Sequence, residues 1–270
     1  MTGLRPGPFA TALAAMTAVF LLLPLLAVIP VSFTPKRFLS LPKDSLSLRH
    51  YQALWTKPEW GDAIALSLQV GVTAAILSTL LATAFCMGLW MMRPRFAGVM
   101  AGLALLPMVA PPVVSALTLY YFLRTVSNWN SLVVYDGWLG VAVAHTVMVV
   151  PYAVVIIMVA LSQVDRKIDL AARSMGAPVW TRIFAVILPN IRFGMVSAFL
   201  LSFVLSWDEI GVTLFVTSIK AITLPRRMWM GLRDNVDPAV AALSVVLIVL
   251  VTIVILGRLI WQNRSPRNSR

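Results

Sequence analysis

Residues 165–189, DRKIDLAARSMGAPVWTRIFAVILP, predict a helix, a tight turn and a second helix between two long apolar runs. Small or apolar residues recur with the i, i+3, i+4, i+7 spacing of one helix face, at Ile168, Ala171, Ala172 and Met175. Gly176 can adopt the left-handed conformation that ends a helix, and Pro178 has the φ angle of a first helical turn. The second helix is expected to stop at Pro189. Its apolar face comprises Val179, Ile183, Val186 and Ile187.

The composition excludes a water-soluble domain. Of the 270 residues, 60% are hydrophobic and only 12% are charged, so the charged groups are too few to cover a surface. The net charge of +12 would suggest nucleic acid for a soluble protein, but here basic residues lie in loops between apolar runs, and no nucleic-acid partner is predicted. The single cysteine, Cys86, excludes a disulfide framework. His50 and His145 lack nearby carboxylates, so no metal or cofactor site is predicted.

Six apolar segments are long enough to cross about 30 Å of hydrocarbon. They lie at about residues 9–33, 63–90, 96–123, 138–161, 193–216 and 239–261. The first is too long for a signal-peptide core and no cleavage motif follows it, so it is predicted to be an uncleaved span. Residues 48–60 mix aromatic and charged side chains and are predicted to form a helix at the membrane interface. The sequence therefore predicts an all-α, multi-pass membrane protein with one domain, residues 1–270, and both termini on the same side.

The third span contains Pro107, Pro111 and Pro112. A proline donates no backbone hydrogen bond, so the carbonyls of Pro107 and Met108 lose their helical partners. Membrane helices tolerate this defect where protein or a water-lined cavity covers the free carbonyls. The pattern predicts a broken or kinked helix, which either borders a translocation path at Pro111 and Pro112 or only improves packing.

Two adjacent acids, Asp208 and Glu209, fall within the fifth predicted span. If that helix enters the hydrocarbon near Phe193, Asp208 lies about 23 Å along it, past the midplane. Acids along a pore would attract a cationic solute. The alternative is that the helix ends here and both acids lie in the outer headgroup layer. For His145, a satisfied packing role is favoured over substrate contact.

Residues 165–189 resemble the EAA loop of ABC-importer permease subunits, whose pattern is E-A-A, three residues, G and, further on, I-x-L-P. The positions in register are Ala171, Ala172, Gly176, Val186, Leu188 and Pro189. Leu170 stands at the glutamate position, and Asp169, one residue earlier, points about 100° away on a helix. The resemblance implies that the loop docks into a cleft of an ATP-hydrolysing subunit and passes its motion to the membrane helices. The alternative is an amphipathic hairpin resting on lipid.

The C-terminal third resembles spermidine/putrescine-type permeases, which carry a serine with paired acids, F-V-T, L-P and V-x-P-x-x-x-A-L in this order. The matching residues are Ser206, Asp208, Glu209, Phe215, Val216, Thr217, Leu224, Pro225, Val236, Pro238, Ala242 and Leu243. Where those permeases often carry Gly-Pro-Gly, this chain has Ser218-Ile219-Lys220-Ala221, a departure that bears on the substrate.

These resemblances imply a type I ABC-importer permease fold in the bacterial inner membrane, with both termini and residues 165–189 cytoplasmic; charge alone indicates this orientation only weakly. The implied partners are ATPase subunits, a second related permease, an extracytoplasmic solute-binding protein and the lipid bilayer. The implied substrate is a polyamine or a similar cation, with iron(III), thiamine, aminophosphonates and opines as alternatives. Coupling to the ATPase is expected from Asp169, Ala171, Ala172, Gly176, Ala177, Leu188 and Pro189. The translocation path is expected to include Ser206, Trp207, Asp208, Glu209, Pro111 and Pro112.

The chain is not expected to be an enzyme. It contains no Gly-Lys dipeptide, so a G-x-x-x-x-G-K-[ST] phosphate loop is impossible and energy must come from a partner. An intramembrane protease would need a nucleophile and base or a metal set, and neither H-E-x-x-H nor G-x-S-G occurs. An ion-coupled carrier generally has internal repeats with paired broken helices, which are not recognisable here.

Overall fold

The computed structural model describes residues 7–43 and 45–264, and all regular elements in that part are helical. Five helices are long and apolar enough to cross a membrane, and a bent pair makes a sixth candidate if it is counted as one span. The long helices are α1 (Pro8–Ser32), α3 (Pro58–Met92), α6 (Trp138–Ser162), α8 (Val179–Trp207) and α11 (Ala239–Arg264). The bent pair is α4 (Ala97–Val109) and α5 (Pro112–Val126). The shorter helices are α2 (Arg49–Thr56), α7 (Arg166–Ser174), α9 (Thr213–Val216) and α10 (Leu224–Met230).

The first and last predicted spans coincide with the helices α1 and α11, whereas the helix of the second predicted span, α3, begins five residues earlier than predicted, at Pro58. The interface segment at residues 48–60 divides at Lys57, whose backbone is extended at φ −93° and ψ 114°. Pro58 disfavours helical geometry at the residue before it, and it fits the first position of the next helix. Consequently α2 ends at Thr56, and the last residues of the predicted interface helix belong to α3.

The predicted break in the third span is confirmed. The axes of α4 and α5 meet at 99°. Ala110 and Pro111 both precede a proline, and both have extended ψ angles, 139° and 131°. At 1.5 Å per residue the two helices are about 20 Å and 22 Å long, each shorter than the hydrocarbon layer of about 30 Å.

Two predictions about residues 179–216 are wrong, namely that the second helix of the hairpin stops at Pro189 and that the fifth span runs from residue 193 to residue 216. The helix that begins at Val179 does not stop at Pro189 but continues to Trp207, so the hairpin and the fifth span share one helix. Residues Arg182–Ile187 form a π-helical turn, and the N–H of Leu188 bonds to the carbonyl of Ile183, five residues back. Because this turn shifts the hydrogen-bond register immediately before Pro189, the proline enters the helix without ending it.

The described part of the chain divides into two compact units. The first comprises the residues before Asp62 and those after Arg227, and the second is Asp62–Arg227. In the first, α11 contacts α1 and α2. In the second, α6 packs along α8, and the two helices approach closely at Gly194, where an added Cβ would lie 2.4 Å from the Cβ of Ala160. The predicted location of the two termini concerns residues 1–6 and 265–270, which lie outside the described residues.

Candidate functional site

The hairpin at residues 165–189 is closed by backbone geometry. The Asp165 carboxylate accepts a hydrogen bond from the backbone N–H of Lys167 at 2.9 Å and so caps the start of α7. At the other end, Gly176 has φ +76°. The N–H of Ala177 bonds to the carbonyl of Ala172, and that of Gly176 to Arg173, the bond pair of a Schellman motif. The predicted glycine turn is confirmed.

An ion pair that the sequence did not reveal joins the two helices of the hairpin. Arg182 donates from Nε to Asp169 Oδ1 at 2.8 Å and from Nη2 to Oδ2 at 2.7 Å. The two side chains are only 12% and 13% exposed. The hydrogen bond from Arg182 holds the pKa of the Asp169 carboxyl below its ordinary value. Asp169 therefore fixes the angle between the helices.

Large apolar side chains are exposed on the hairpin, beside the charged Lys167 and Arg173. Leu170, at the position of the family glutamate, is 57% exposed, and Met175 is 80% exposed. The rings of Trp180 and Phe184, also exposed, stack with centroids 6.0 Å apart. Ala171 and Pro189 are exposed as well, whereas Ala177 and Leu188 are half-buried.

A cavity of about 1030 Å³ lies between the hairpin and the C-terminal end of α3. It is lined by Met87, Met91, Arg173, Ala177, Trp180 and Phe184, among others. Trp180 and Phe184 thus face this cavity, whereas Leu170 and Met175 lie outside its lining and have no cover in the described part of the chain. Such a surface can dock against another protein.

The acids predicted inside the fifth span lie instead just beyond its helix. Trp207 is the last residue of α8, and Asp208, which is exposed, caps its C-terminal end. Glu209 Oε1 accepts a hydrogen bond from the N–H of Val212 at 2.9 Å, next to α9. An added Cβ on Gly211 would lie 3.9 Å from the Cβ of Pro112. The structure therefore brings Glu209 close to the break between α4 and α5.

A buried polar network anchors this end of α8. His145 is 1% exposed, its Nδ1 lies 2.8 Å from Ser206 Oγ, and its Nε2 lies 2.8 Å from Thr213 Oγ1. Thr213 donates its hydroxyl proton to the carbonyl of Glu209, so it can only accept from Nε2–H. In the neutral ring, Nδ1 then accepts from the hydroxyl of Ser206. The predicted satisfied packing role of His145 is confirmed.

Asp136 anchors the segment after α9. Its carboxylate accepts hydrogen bonds of 2.7–3.1 Å from four successive backbone N–H groups, those of Ser218, Ile219, Lys220 and Ala221. Burial raises the pKa of Asp136, but these four donors outweigh it, and the pKa lies below its ordinary value. Arg226 donates to the carbonyl of Ser218 at 2.8 Å and to the hydroxyl of Thr217.

This anchoring explains why the segment can differ from the Gly-Pro-Gly of related permeases. All four donors belong to the backbone, so the contact with Asp136 does not depend on which side chains follow Thr217. This long-range contact is not recognisable in the sequence, since Asp136 precedes its partners by more than 80 residues. A signal was present locally, because aspartate is one of the few residues that tolerate a positive φ, here 59°.

Residues 81–265 match the sequence profile of the family described as "Binding-protein-dependent transport system inner membrane component". The chain belongs to this family. The match includes the hairpin, the broken pair α4–α5 and the acids after α8. Family membership, together with the long apolar helices, establishes a multi-pass membrane protein of the permease class.

Three known proteins illustrate what this permease resembles. It is 28% identical to the spermidine/putrescine transport system permease protein PotC of Haemophilus influenzae, over 91% of this chain and 93% of that protein. It is 29% identical to the putrescine transport system permease protein PotI of Escherichia coli, over 90% and 85%. A solved bacterial ABC transporter that imports the acidic polysaccharide alginate has a subunit with the same fold, at TM-score 0.72, 13% identity and 96% coverage of both chains. The all-α importer permease fold is confirmed.

Proposed function

We propose that this permease is one of two membrane subunits of an ATP-driven importer for a polyamine or a similar small cation. The observation that carries this proposal is similarity along about nine-tenths of the chain to permeases named for putrescine and spermidine. A probable molybdenum permease of Haloferax volcanii is 34% identical, but over only 62% of the chain. The fold does not decide the substrate, because the same fold serves alginate, which is acidic.

The hairpin is proposed to be the element that engages the ATPase. Its exposed apolar side chains and its rigid closure support this role, since a docking element must keep its shape under load. In this mechanism, ATP binding closes the ATPase pair and draws the hairpin inward. Because α8 continues from the hairpin without interruption to Trp207, motion of the hairpin is passed directly along that helix.

The end of α8 opposite the hairpin is proposed to border the translocation path. Asp208 is exposed there, and Glu209 lies beside Gly211 and Pro112, where α4 and α5 separate. A negative potential at this point favours a cationic solute and disfavours an anionic one. The permease itself catalyses no reaction in this scheme. ATPase subunits, a second permease and a solute-binding protein complete the importer.

Uptake by the assembled importer tests the substrate. Vesicles that contain the complete complex and its binding protein are loaded with ATP and offered labelled putrescine, spermidine, iron(III), thiamine, an aminophosphonate and an opine. The proposal expects ATP-dependent accumulation of a polyamine, with unlabelled polyamine as competitor. Accumulation of a different solute in the panel, with polyamines excluded, would contradict the polyamine assignment and leave the importer class intact.

The orientation is tested separately by cysteine labelling. With Cys86 replaced, a cysteine at Ser174 in the hairpin should react with a membrane-impermeant maleimide only after the cells are opened. A cysteine at Lys43 should react in intact cells. Both positions are exposed, so reactivity reports the side of the membrane and not burial. Labelling of Ser174 from outside would contradict the cytoplasmic placement of the hairpin.

A further inference from the structure

Arg166, the first residue of α7, is held against the C-terminal end of α3. Its Nη1 donates to the carbonyl of Trp90 at 3.3 Å, and its guanidinium carbon lies 4.9 Å from the centre of the Trp90 ring. An arginine has five N–H donors, so this bond leaves most of the fork for another acceptor. The guanidinium is therefore preorganised by stacking, which lowers the entropy lost when it binds an anion.

A second cation, Arg93, acts on Arg166, and the carboxylate that also acts on it, Asp169, is shared with Arg182. Burial, followed by the charge of Arg93, lowers the pKa of Arg166, and the charge of Asp169 opposes this shift. Arg93 is exposed, and its φ of +48° places it in the sharp turn after α3. The two acids nearest in sequence are already engaged: Asp169 binds Arg182, and Asp165 caps α7. Two guanidinium groups whose one interacting acid is already bound to a third arginine favour a phosphate.

An apolar cavity of about 470 Å³ lies beside Arg166. It is bounded by the adjacent ends of α3, α4 and α6, and its lining includes Leu89, Trp90, Gly98, Ala101, Met158 and Arg166. This volume lies in the range of small-molecule sites. Gly98 contributes to the open space, because a Cβ added there would meet no atom within 4 Å. The walls belong to the ends of helices that are long and apolar enough to cross a membrane, so the cavity is placed near the boundary between headgroups and lipid chains.

We propose that this arginine-capped cavity binds one acidic phospholipid, with its phosphate on Arg166 and Arg93 and an acyl chain along the apolar wall. Basic pockets between membrane helices recognise acidic lipid headgroups by the same combination of charge and apolar contact. Inorganic phosphate would bind the arginines but make no contact with the apolar wall. It should therefore bind more weakly than the phosphate group of a phospholipid. The site lies at the base of the hairpin, so a bound lipid braces α7 against α3.

Native mass spectrometry of the purified complete importer tests the proposal. The complex is titrated with phosphatidylglycerol, with phosphatidylcholine of the same acyl chains, and with inorganic phosphate. We expect phosphatidylglycerol to be retained at least about tenfold more strongly than phosphatidylcholine, because only the former carries net negative charge. Equal retention of the two lipids, or phosphate binding as tight as that of the lipid, would overturn the proposal.

Matched variants locate the site. Gly98→Leu fills the cavity without touching either arginine, and Gly102→Leu is its control, one turn along α4 and also in open space. Arg93→Asn removes the exposed cation while keeping a residue that tolerates positive φ. Lys167→Gln is the charge control on α7. Gly98→Leu and Arg93→Asn should each weaken phosphatidylglycerol binding about tenfold, and the two controls should bind normally.

A loss of binding in the controls equal to that in the test variants would contradict the site. So would normal binding in Gly98→Leu together with a normal melting temperature. Because neither Gly98 nor Arg93 belongs to the hairpin or to the segment after α8, uptake activity is not needed to judge the result. The binding measurement therefore tests the lipid site whether or not the transport assignment is correct.

Discussion

The two ends of the α6–α8 pair are stabilised in opposite ways. At the end near Trp207, His145 and Asp136 are joined to the segment at residues 206–221 by buried or backbone hydrogen bonds. At the hairpin end, one ion pair and one glycine turn fix the geometry, and the surrounding side chains are large, apolar and exposed. The first end bonds many of its polar groups internally, although the buried Ser202 Oγ, Thr223 Oγ1 and Arg226 Nε have no hydrogen-bond partner in the described part of the chain. The second presents surface that only another molecule can cover.

This difference fits the two tasks that we propose for the two ends of α8. An end that borders a solute path must hold its polar groups in place, because unsatisfied groups at membrane depth are costly. An end that receives force from a partner must be rigid in itself but open outward. The comparison predicts that damage to Asp136 lowers stability, whereas damage to the hairpin lowers coupling.

The largest expected loss of stability follows from Asp136→Ala. Four backbone N–H groups lose a charged acceptor, and alanine is strained at a φ of 59°. We expect the free energy of unfolding to fall by about 3 kcal/mol. This is less than the sum of four separate charge-assisted hydrogen bonds, because the site is partly solvated. Asp136→Asn, which tolerates the same φ, should lose less. Thermal unfolding in detergent measures both, and equal losses would show that charge does not matter there.

The same carboxylate predicts a pH effect. The pKa of Asp136 in the folded chain is below its ordinary value of 3.8, so the unfolded chain takes up the proton first as the pH falls. The stabilisation is thus complete above the ordinary pKa and is lost as the pH falls through the folded value. Unfolding measured at descending pH should show a smaller decline in Asp136→Asn than in the unaltered chain. A parallel decline would contradict this contribution.

The next effect in size concerns the ion pair of the hairpin. Asp169→Asn and Arg182→Gln should each cost about 2 kcal/mol locally, since each leaves a mostly buried charge without its partner. The double variant should cost less than the sum. Hydrogen exchange of α7 measures the local opening, and Asp165→Asn, which keeps a cap on the same helix, is the control. If the loss in the double variant equals the sum of the two single losses, the ion pair does not stabilise the hairpin.

The sequence predicted what depends on local chemistry. The glycine turn at Gly176 and the break at Pro111 follow from backbone rules that act over a few residues, and the structure confirms both. The prediction that the helix stops at Pro189 was wrong. A π-helical turn before the proline allows the helix to continue, and such a turn cannot be recognised from the composition. The partner of Asp169 was missed because it depends on how the two helices of the hairpin pack, and the partners of Asp136 were missed because they lie more than 80 residues away.

The smallest effect on stability is expected for the acids after α8. Asp208→Asn keeps the shape of an exposed side chain, and Glu209→Gln keeps an acceptor for the N–H of Val212. Both should change the free energy of unfolding by less than about 0.5 kcal/mol. If these acids border a cation path, uptake should nevertheless fall, and more for Asp208→Asn. Two near-normal uptake rates at equal membrane abundance would leave the charge of the solute undetermined.

The central claim is that the hairpin couples the permease to the ATPase, and Gly176 tests it most directly. No atom lies within 4 Å of an added Cβ, so Gly176→Val changes only the backbone preference, by about 1–3 kcal/mol. Gly176→Asn keeps the left-handed turn and serves as the control. The measurement is ATP hydrolysis stimulated by the loaded binding protein, in the complete importer. We expect stimulation to be lost in Gly176→Val and kept in Gly176→Asn; full stimulation in Gly176→Val would contradict the claim.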